Sequence, residues 1–178
     1  MVCPHWLSCI LYNPLRKTST DRLAVLEQSR IGKNSVVLEI GAGNGFFTEV
    51  LAERAAFVHA VELQQGMVKK LRQRLGALAA KVNILQEDIS RHDPGQSVAD
   101  VAFLYYVFHE VDDQDGGSRH IVNAVKPGGF VVLYEPTVEV SRRKMDLSVR
   151  IFEQLGMVLE ERKDGLFTRF ARLRKVSA

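Results

Sequence analysis

The chain has 178 residues, 46% of them hydrophobic and 25% charged, with 24 lysines and arginines against 21 aspartates and glutamates. This is the composition of an ordinary globular protein, and its length predicts one domain that buries its core without disulfides or metals. A net charge of +3 is too weak a bias to point to strong nucleic-acid binding or to an anionic membrane.

The two cysteines, Cys3 and Cys9, flank His5 near the start of the chain. Two thiols and one imidazole are one ligand short of a closed zinc site, so no metal is expected. Two cysteines make no disulfide framework, and a reducing, cytoplasmic setting is the default. The run Trp6-Leu7-Ser8-Cys9-Ile10-Leu11 is too short to span a bilayer and lacks the basic start of a signal peptide. Its large apolar side chains, with Tyr12, are not those of a solvated tail. Residues 1–17 are therefore expected to close as a lid over the functional cleft of a domain covering 18–178.

From there, apolar strands alternate with helical patterns. Val36–Ile40 reads as the first strand, followed by a glycine-rich turn and a helix from about Gly45 to Arg54. Phe57–Val61 is the second strand and Met67–Leu75 the second helix. Val82–Leu85 and Asp100–Tyr106 follow as strands, the latter apolar almost throughout, as a strand covered on both faces should be. A helix from about Asp113 to Val125 is expected to stop at Pro127-Gly128-Gly129. Phe130–Tyr134 is the fifth strand and Ser141–Leu155 a basic helix. Met157–Glu161 and Leu166–Leu173 form a closing hairpin around Asp164-Gly165. Repeated strand–helix units imply a parallel sheet with right-handed crossovers, to which the hairpin adds one antiparallel strand. Ligands of such sheets sit at the carboxyl ends of the strands, near the switch point.

The turn after the first strand reads Glu39-Ile40-Gly41-Ala42-Gly43-Asn44-Gly45. Glycines there allow a sharp turn and close approach of the backbone to a ligand. Glu62 ends the next strand, where a carboxylate can accept both hydroxyls of a ribose. A dinucleotide fingerprint would need a small residue at position 46, which is Phe. Glu39 would repel a pyrophosphate and favour a cationic ligand instead.

VVLEIGAGNGFFTEVLAE resembles the first motif of class I S-adenosylmethionine (SAM) methyltransferases, and AVEL resembles the acidic tip of their second strand. QEDI, AVKPGGFVVLYEP and FEQLGMVLEER are similar to later segments of the small-molecule branch that includes ubiquinone-type and arsenite methyltransferases. The resemblance spans roughly residues 18 to 175. It implies an α/β, Rossmann-like, doubly wound seven-stranded mixed sheet of order 3-2-1-4-5-7-6 in a single domain. It further implies S-adenosyl-L-methionine as cofactor, held by Glu39, Gly41, Ala42, Gly43, Gly45, Glu62, Leu63, Asp88, Ile89 and Tyr105. In this setting the lid would bring Tyr12 near the sulfonium.

The first two motifs are also similar to those of rRNA adenine dimethylases. Their proline-aromatic motif is absent, because the corresponding stretch reads Tyr105-Tyr106-Val107-Phe108-His109-Glu110. His109 is the candidate catalytic residue: it either takes a proton from the nucleophile or orders the loop that follows. The expected acceptor is a small molecule. An rRNA or protein methyltransferase, or a SAM-binding module without catalysis, are the alternatives. Short lid elements, the loop Phe108–Gly117 and the stretch after Glu135 among them, leave room for a large substrate or for a homodimer whose second copy completes the pocket.

Overall fold

A computed structural model describes residues 20–176. The expected lid, with Cys3, His5, Trp6, Cys9 and Tyr12, lies outside the described residues. Seven strands, β1 (Val36–Ile40), β2 (Phe57–Val61), β3 (Val82–Leu85), β4 (Ala99–Tyr105), β5 (Val125–Pro136), β6 (Met157–Asp164) and β7 (Thr168–Lys175), form one sheet. Its order is β3-β2-β1-β4-β5-β7-β6, as the resemblance implied. β7 runs antiparallel to both of its neighbours. β1 pairs in parallel with β2 on one side and β4 on the other, so the chain reverses its direction of winding there and opens a crevice above the strand ends.

Among the described residues, five helices cover the sheet: α1 (Arg22–Gln28), α2 (Thr48–Arg54), α3 (Gln65–Leu75), α4 (Gln114–Ala124) and α5 (Arg142–Gln154). Alternation along β1 sends Leu38 and Ile40 into a core with Phe108, Ile121, Met145 and Phe152. Val37 enters a second core on the other face, with Phe47, Leu51, Leu71 and Phe103. β4 is buried on nearly its whole length, as its sequence predicts.

Several boundaries differ from expectation. The first glycine-loop helix begins at Thr48, not Gly45. Gly45 has φ +88, a left-handed conformation that cannot belong to a right-handed helix. A Cβ on Gly45 would stand 2.8 Å from Leu71 Cδ1, so this glycine also lets the loop lie against α3. The fifth strand begins at Val125 directly after α4; Val125 pairs with Ala99, and residues 126–129 form a bulge before Phe130 meets Val101. The hairpin strands run a few residues further than expected, to Asp164 and Lys175.

α1 was not anticipated. Its signal was present in Asp21, whose side chain accepts a hydrogen bond from Ala24 N–H at 3.0 Å and caps the helix. α1 matters to the site because Arg22 donates to the Phe46 carbonyl at 2.8 Å and pairs with Glu49 at 3.1 Å, holding the far end of the glycine loop.

Candidate active site

The ends of β1, β2 and β4 border a cleft of about 340 Å³. Of the residues implicated from sequence, Glu39, Gly41, Ala42, Gly43, Glu62, Leu63, Asp88, Ile89, Tyr105 and His109 all line it. Gly45 does not; it packs behind the loop against Leu71, as described above.

Gly41 shapes the floor. It has φ +70, and any Cβ there would run into the side chain of Val107, which comes from the segment after β4. The loop and that segment therefore touch at a point where only glycine fits.

Glu39 is 3% exposed, at the inner end of the cleft, and its Oε2 has no hydrogen-bond partner among the described residues. Burial pushes its carboxyl up to about 8, opposed by the nearby Thr48 hydroxyl and reinforced by the charge of Glu62. Near neutral pH Glu39 therefore holds a proton until a cation reaches it. The sequence reading gave Glu39 a standing negative charge; burial corrects this to a charge that a ligand must call forth.

Glu62 is also buried, and it is anchored. Its Oε2 accepts from Gly43 N–H at 2.7 Å and its Oε1 accepts from Gln64 N–H at 2.8 Å. These bonds tie the glycine loop to the end of β2. Burial raises the Glu62 carboxyl, and the nearby charge of Glu110 contributes. Each carboxylate oxygen keeps accepting capacity beyond one backbone bond. Beyond Glu62, Leu63 is half-exposed and Ile89 buried, forming apolar sides. Asp88 turns the loop after β3 by accepting from Ser90 N–H at 2.9 Å.

The opposite wall is aromatic. Tyr105 packs 4.3 Å from Phe47 and 4.3 Å from Tyr106. Tyr106 adopts φ +59, rare for a bulky residue and a sign of local strain at the site. Two bonds hold it there: its N–H donates to the Tyr134 carbonyl at 2.8 Å, and its hydroxyl bonds Thr168 on β7.

His109 sits in a short 3₁₀ turn, Phe108–Glu110. Its Nδ1 bonds the buried carboxylate of Glu135, and its Nε2 lies 2.6 Å from Glu139 Oε2. Its backbone N–H also reaches Glu135 Oε1 at 3.3 Å. Burial pulls the imidazole pKa down, but the bonds and charges of Glu135 and Glu139 outweigh it, so the net shift is upward. Both nitrogens are engaged and the protonated form is favoured. Glu135 and Glu139 were not singled out as site residues in the sequence. They stand 26 and 30 residues from His109, and no local pattern connects them.

The orphaned Glu39 oxygen, the Glu62 carboxylate and the apolar sides between Leu63 and Ile89 fit a ligand with an ammonium group, a vicinal diol and a flat ring. Among the described residues, no group of three His, Cys, Asp or Glu side chains could hold a metal ion, and no helix is long and apolar enough to cross a membrane.

Comparison with known proteins adds three findings. The methyltransferase domain family matches residues 38–133. The ribosomal RNA small subunit methyltransferase A of Rubrobacter xylanophilus is 41% identical over 81 residues, 46% of this chain and 29% of that protein. The ubiquinone biosynthesis O-methyltransferase of Coxiella burnetii is 24% identical over 116 residues, 65% of this chain and 50% of that protein. The chain thus spans half or less of the length of these two relatives. A SAM dependent methyltransferase from Aquifex aeolicus has the same fold, with a TM-score of 0.85, 18% identity and coverage of 98% of this chain and 100% of that one.

Proposed function

We propose that this chain, which belongs to the methyltransferase domain family, transfers a methyl group from S-adenosylmethionine to a small-molecule acceptor. The observation that carries the reading is the Glu39 carboxylate, buried at the inner end of the cleft with an unpartnered oxygen. A buried polar atom without a partner is costly, and a ligand ammonium there would relieve it. Glu62 would accept the ribose hydroxyls, and Leu63, Asp88 and Ile89 would hold the adenine. When bound, the cofactor supplies a methyl group on a sulfonium, a good leaving group. The chain's own contribution is then chiefly to position the acceptor and exclude water.

Of the two roles expected for His109, ordering the loop is the better supported. Glu135 fixes the ring from behind, and the ring in turn holds Glu139 at the mouth of the cleft. An imidazole with both nitrogens so engaged is a poor proton acceptor.

The rRNA alternative is less favoured. Its relatives match over a minor part of their length, and the proline-aromatic motif is missing. An acidic cleft also repels phosphates. We place the protein in the cytoplasm, acting on a small molecule without strong nucleic-acid binding, with a homodimer as the assembly that would complete the cleft.

Calorimetric titration with S-adenosylhomocysteine (SAH) and with NAD tests the cofactor. SAH should bind and NAD should not; tighter binding of NAD would refute the proposal.

A further inference from the structure

Two turns beside the mouth of the cleft expose side chains that neither turn needs. Gly165 N–H donates to the Thr168 carbonyl at 3.0 Å and closes the turn between β6 and β7, with Leu166 and Phe167 at its two corners. Such corners ordinarily carry glycine, proline, asparagine, aspartate or serine, each for a backbone reason. Leucine and phenylalanine supply none of those reasons, and here they stand 88% and 80% exposed. Val138, in the turn after β5, is 87% exposed. No other large apolar side chain among the described residues is more than 55% exposed.

The two turns form one surface. Thr137 N–H donates to the Phe167 carbonyl at 3.1 Å, and the Thr137 hydroxyl donates to the Leu166 carbonyl at 2.8 Å. That surface adjoins the cleft: Pro136 and Glu139 line the cleft, and Thr168 bonds Tyr106 in its wall.

The start of α5 lies beside the two turns and is basic. Arg142, Arg143 and Lys144 are all exposed. Arg142 stands 3.8 Å from Asp164 at the base of the hairpin turn, and Lys144 Nζ donates to the Glu139 carbonyl at 3.1 Å. The acids nearby already serve other cations. Asp164 also faces Arg162 and Arg169, Asp146 pairs with Arg162 at 3.2 Å, and Glu139 is held by His109. Among the described residues Arg143 and Lys144 have no carboxylate partner. Residues 1–19 and 177–178 contain no aspartate or glutamate, so no acidic side chain elsewhere in the chain is left to answer them.

Large apolar side chains exposed together mark a site of contact with a protein or a membrane. Side chains exposed to this degree stand on a convex point, not in a groove. A protein partner would need a fitted pocket for each of them. A fluid bilayer takes them without a matching shape, and its anionic headgroups answer the cations beside them. Arginine stems can also lie along the apolar layer while their charges stay among the headgroups.

We infer that the chain docks on an anionic lipid surface through Val138, Leu166 and Phe167, with Arg142 and Arg143 among the headgroups. The chain's net +3 is no guide to this, because a charged surface acts locally, within a Debye length of about 8–10 Å. Docking sets the mouth of the cleft against the bilayer, within reach of an apolar acceptor dissolved there. That consequence, unlike the docking, rests on the methyltransferase reading.

Co-sedimentation of the full chain with lipid vesicles tests the docking. Vesicles of phosphatidylcholine mixed with phosphatidylglycerol should carry the protein down at low salt. Vesicles of phosphatidylcholine alone should carry about tenfold less, and added salt should release the protein from the mixed ones. Leu166→Ser/Phe167→Ser alters only exposed side chains, so it should keep the parent's unfolding temperature while its partition onto mixed vesicles falls about tenfold or more. Arg142→Gln/Arg143→Gln should lower partition about fivefold for each charge removed. Three results overturn the proposal. One is a parent that does not sediment with the mixed vesicles. Another is a Leu166→Ser/Phe167→Ser variant that sediments as the parent does, which would put the contact elsewhere in the chain. The third is a parent that is dimeric in solution beside a monomeric variant, which would give the surface to a second copy. None of these measurements involves the cofactor, so their failure and that of the methyltransferase reading are separate.

Discussion

Carboxylates occupy two regions of this protein in opposite ways. At the carboxyl ends of β1, β2 and β4 they gather around a cleft, and among the described residues no lysine or arginine shares its lining. In the β6–β7 hairpin they alternate with cations. Asp164 pairs with Arg162 at 3.2 Å and Arg169 at 3.0 Å, Glu161 with Lys163 at 2.6 Å and Arg172 at 3.0 Å, and Glu160 with Arg174 at 3.0 Å. The titration shifts follow. Burial raises Glu39 to about 8. Asp164 is lowered, as its arginines outweigh what burial it has; Glu161 is lowered by its bond to Lys163. The same side-chain type serves the fold where it is matched and a ligand where it is not. On the largely exposed strand β6, matched charges also discourage edge-to-edge pairing with another chain.

The sharpest way to break this comparison is Glu62→Ala. It removes the proposed ribose contact and leaves the N–H groups of Gly43 and Gln64 without their acceptor. Each charged hydrogen bond contributes about 1.5–3 kcal/mol, so SAH affinity should fall more than about 100-fold and urea stability should drop as well. Wild-type SAH affinity in this variant would remove Glu62 from the site.

Glu39→Gln comes next, because it separates binding from folding. The folded state keeps a proton on Glu39 that the unfolded chain releases near its ordinary value of 4.5. Stability from this group is thus full below about 4.5 and is lost as pH rises through about 8. Glutamine, neutral at every pH, should flatten that decline and leave the variant relatively more stable at pH 8 than at pH 5. SAH affinity should nevertheless fall roughly 10- to 100-fold, the loss of one charged bond. Calorimetry in two buffers of different ionisation enthalpy should also detect a proton released on SAH binding to the parent below pH 8, absent in the variant. Binding without that proton would mean that the ammonium does not meet Glu39.

The smallest effect belongs to the hairpin. Asp164→Asn should cost about 0–1 kcal/mol, as partly exposed ion pairs do, and leave SAH affinity unchanged. The sign of its pH dependence is opposite to that of Glu39: with a lowered carboxyl, its contribution is present above the unfolded pKa and fades as pH falls through the folded one. An Asp164 variant that weakened SAH binding as much as Glu39→Gln would erase the distinction between the two regions.

Much of this was legible in the amino acids themselves. Strand alternation, the Gly41–Gly45 turn, and acids at 39 and 62 at the ends of successive strands are local patterns, because backbone conformation and side-chain period are local properties. The sheet order followed from the resemblance that those patterns support. Tertiary structure decided the rest. Only it separates Gly41, pressed against Val107 in the cleft, from Gly45, pressed against Leu71 behind it. It alone brings Glu135 and Glu139 onto the two nitrogens of His109, and buries Glu39 so that its carboxyl is pushed up to about 8. Partnering and desolvation are sums over neighbours that arrive from distant parts of the chain, so they have no value until the chain has folded.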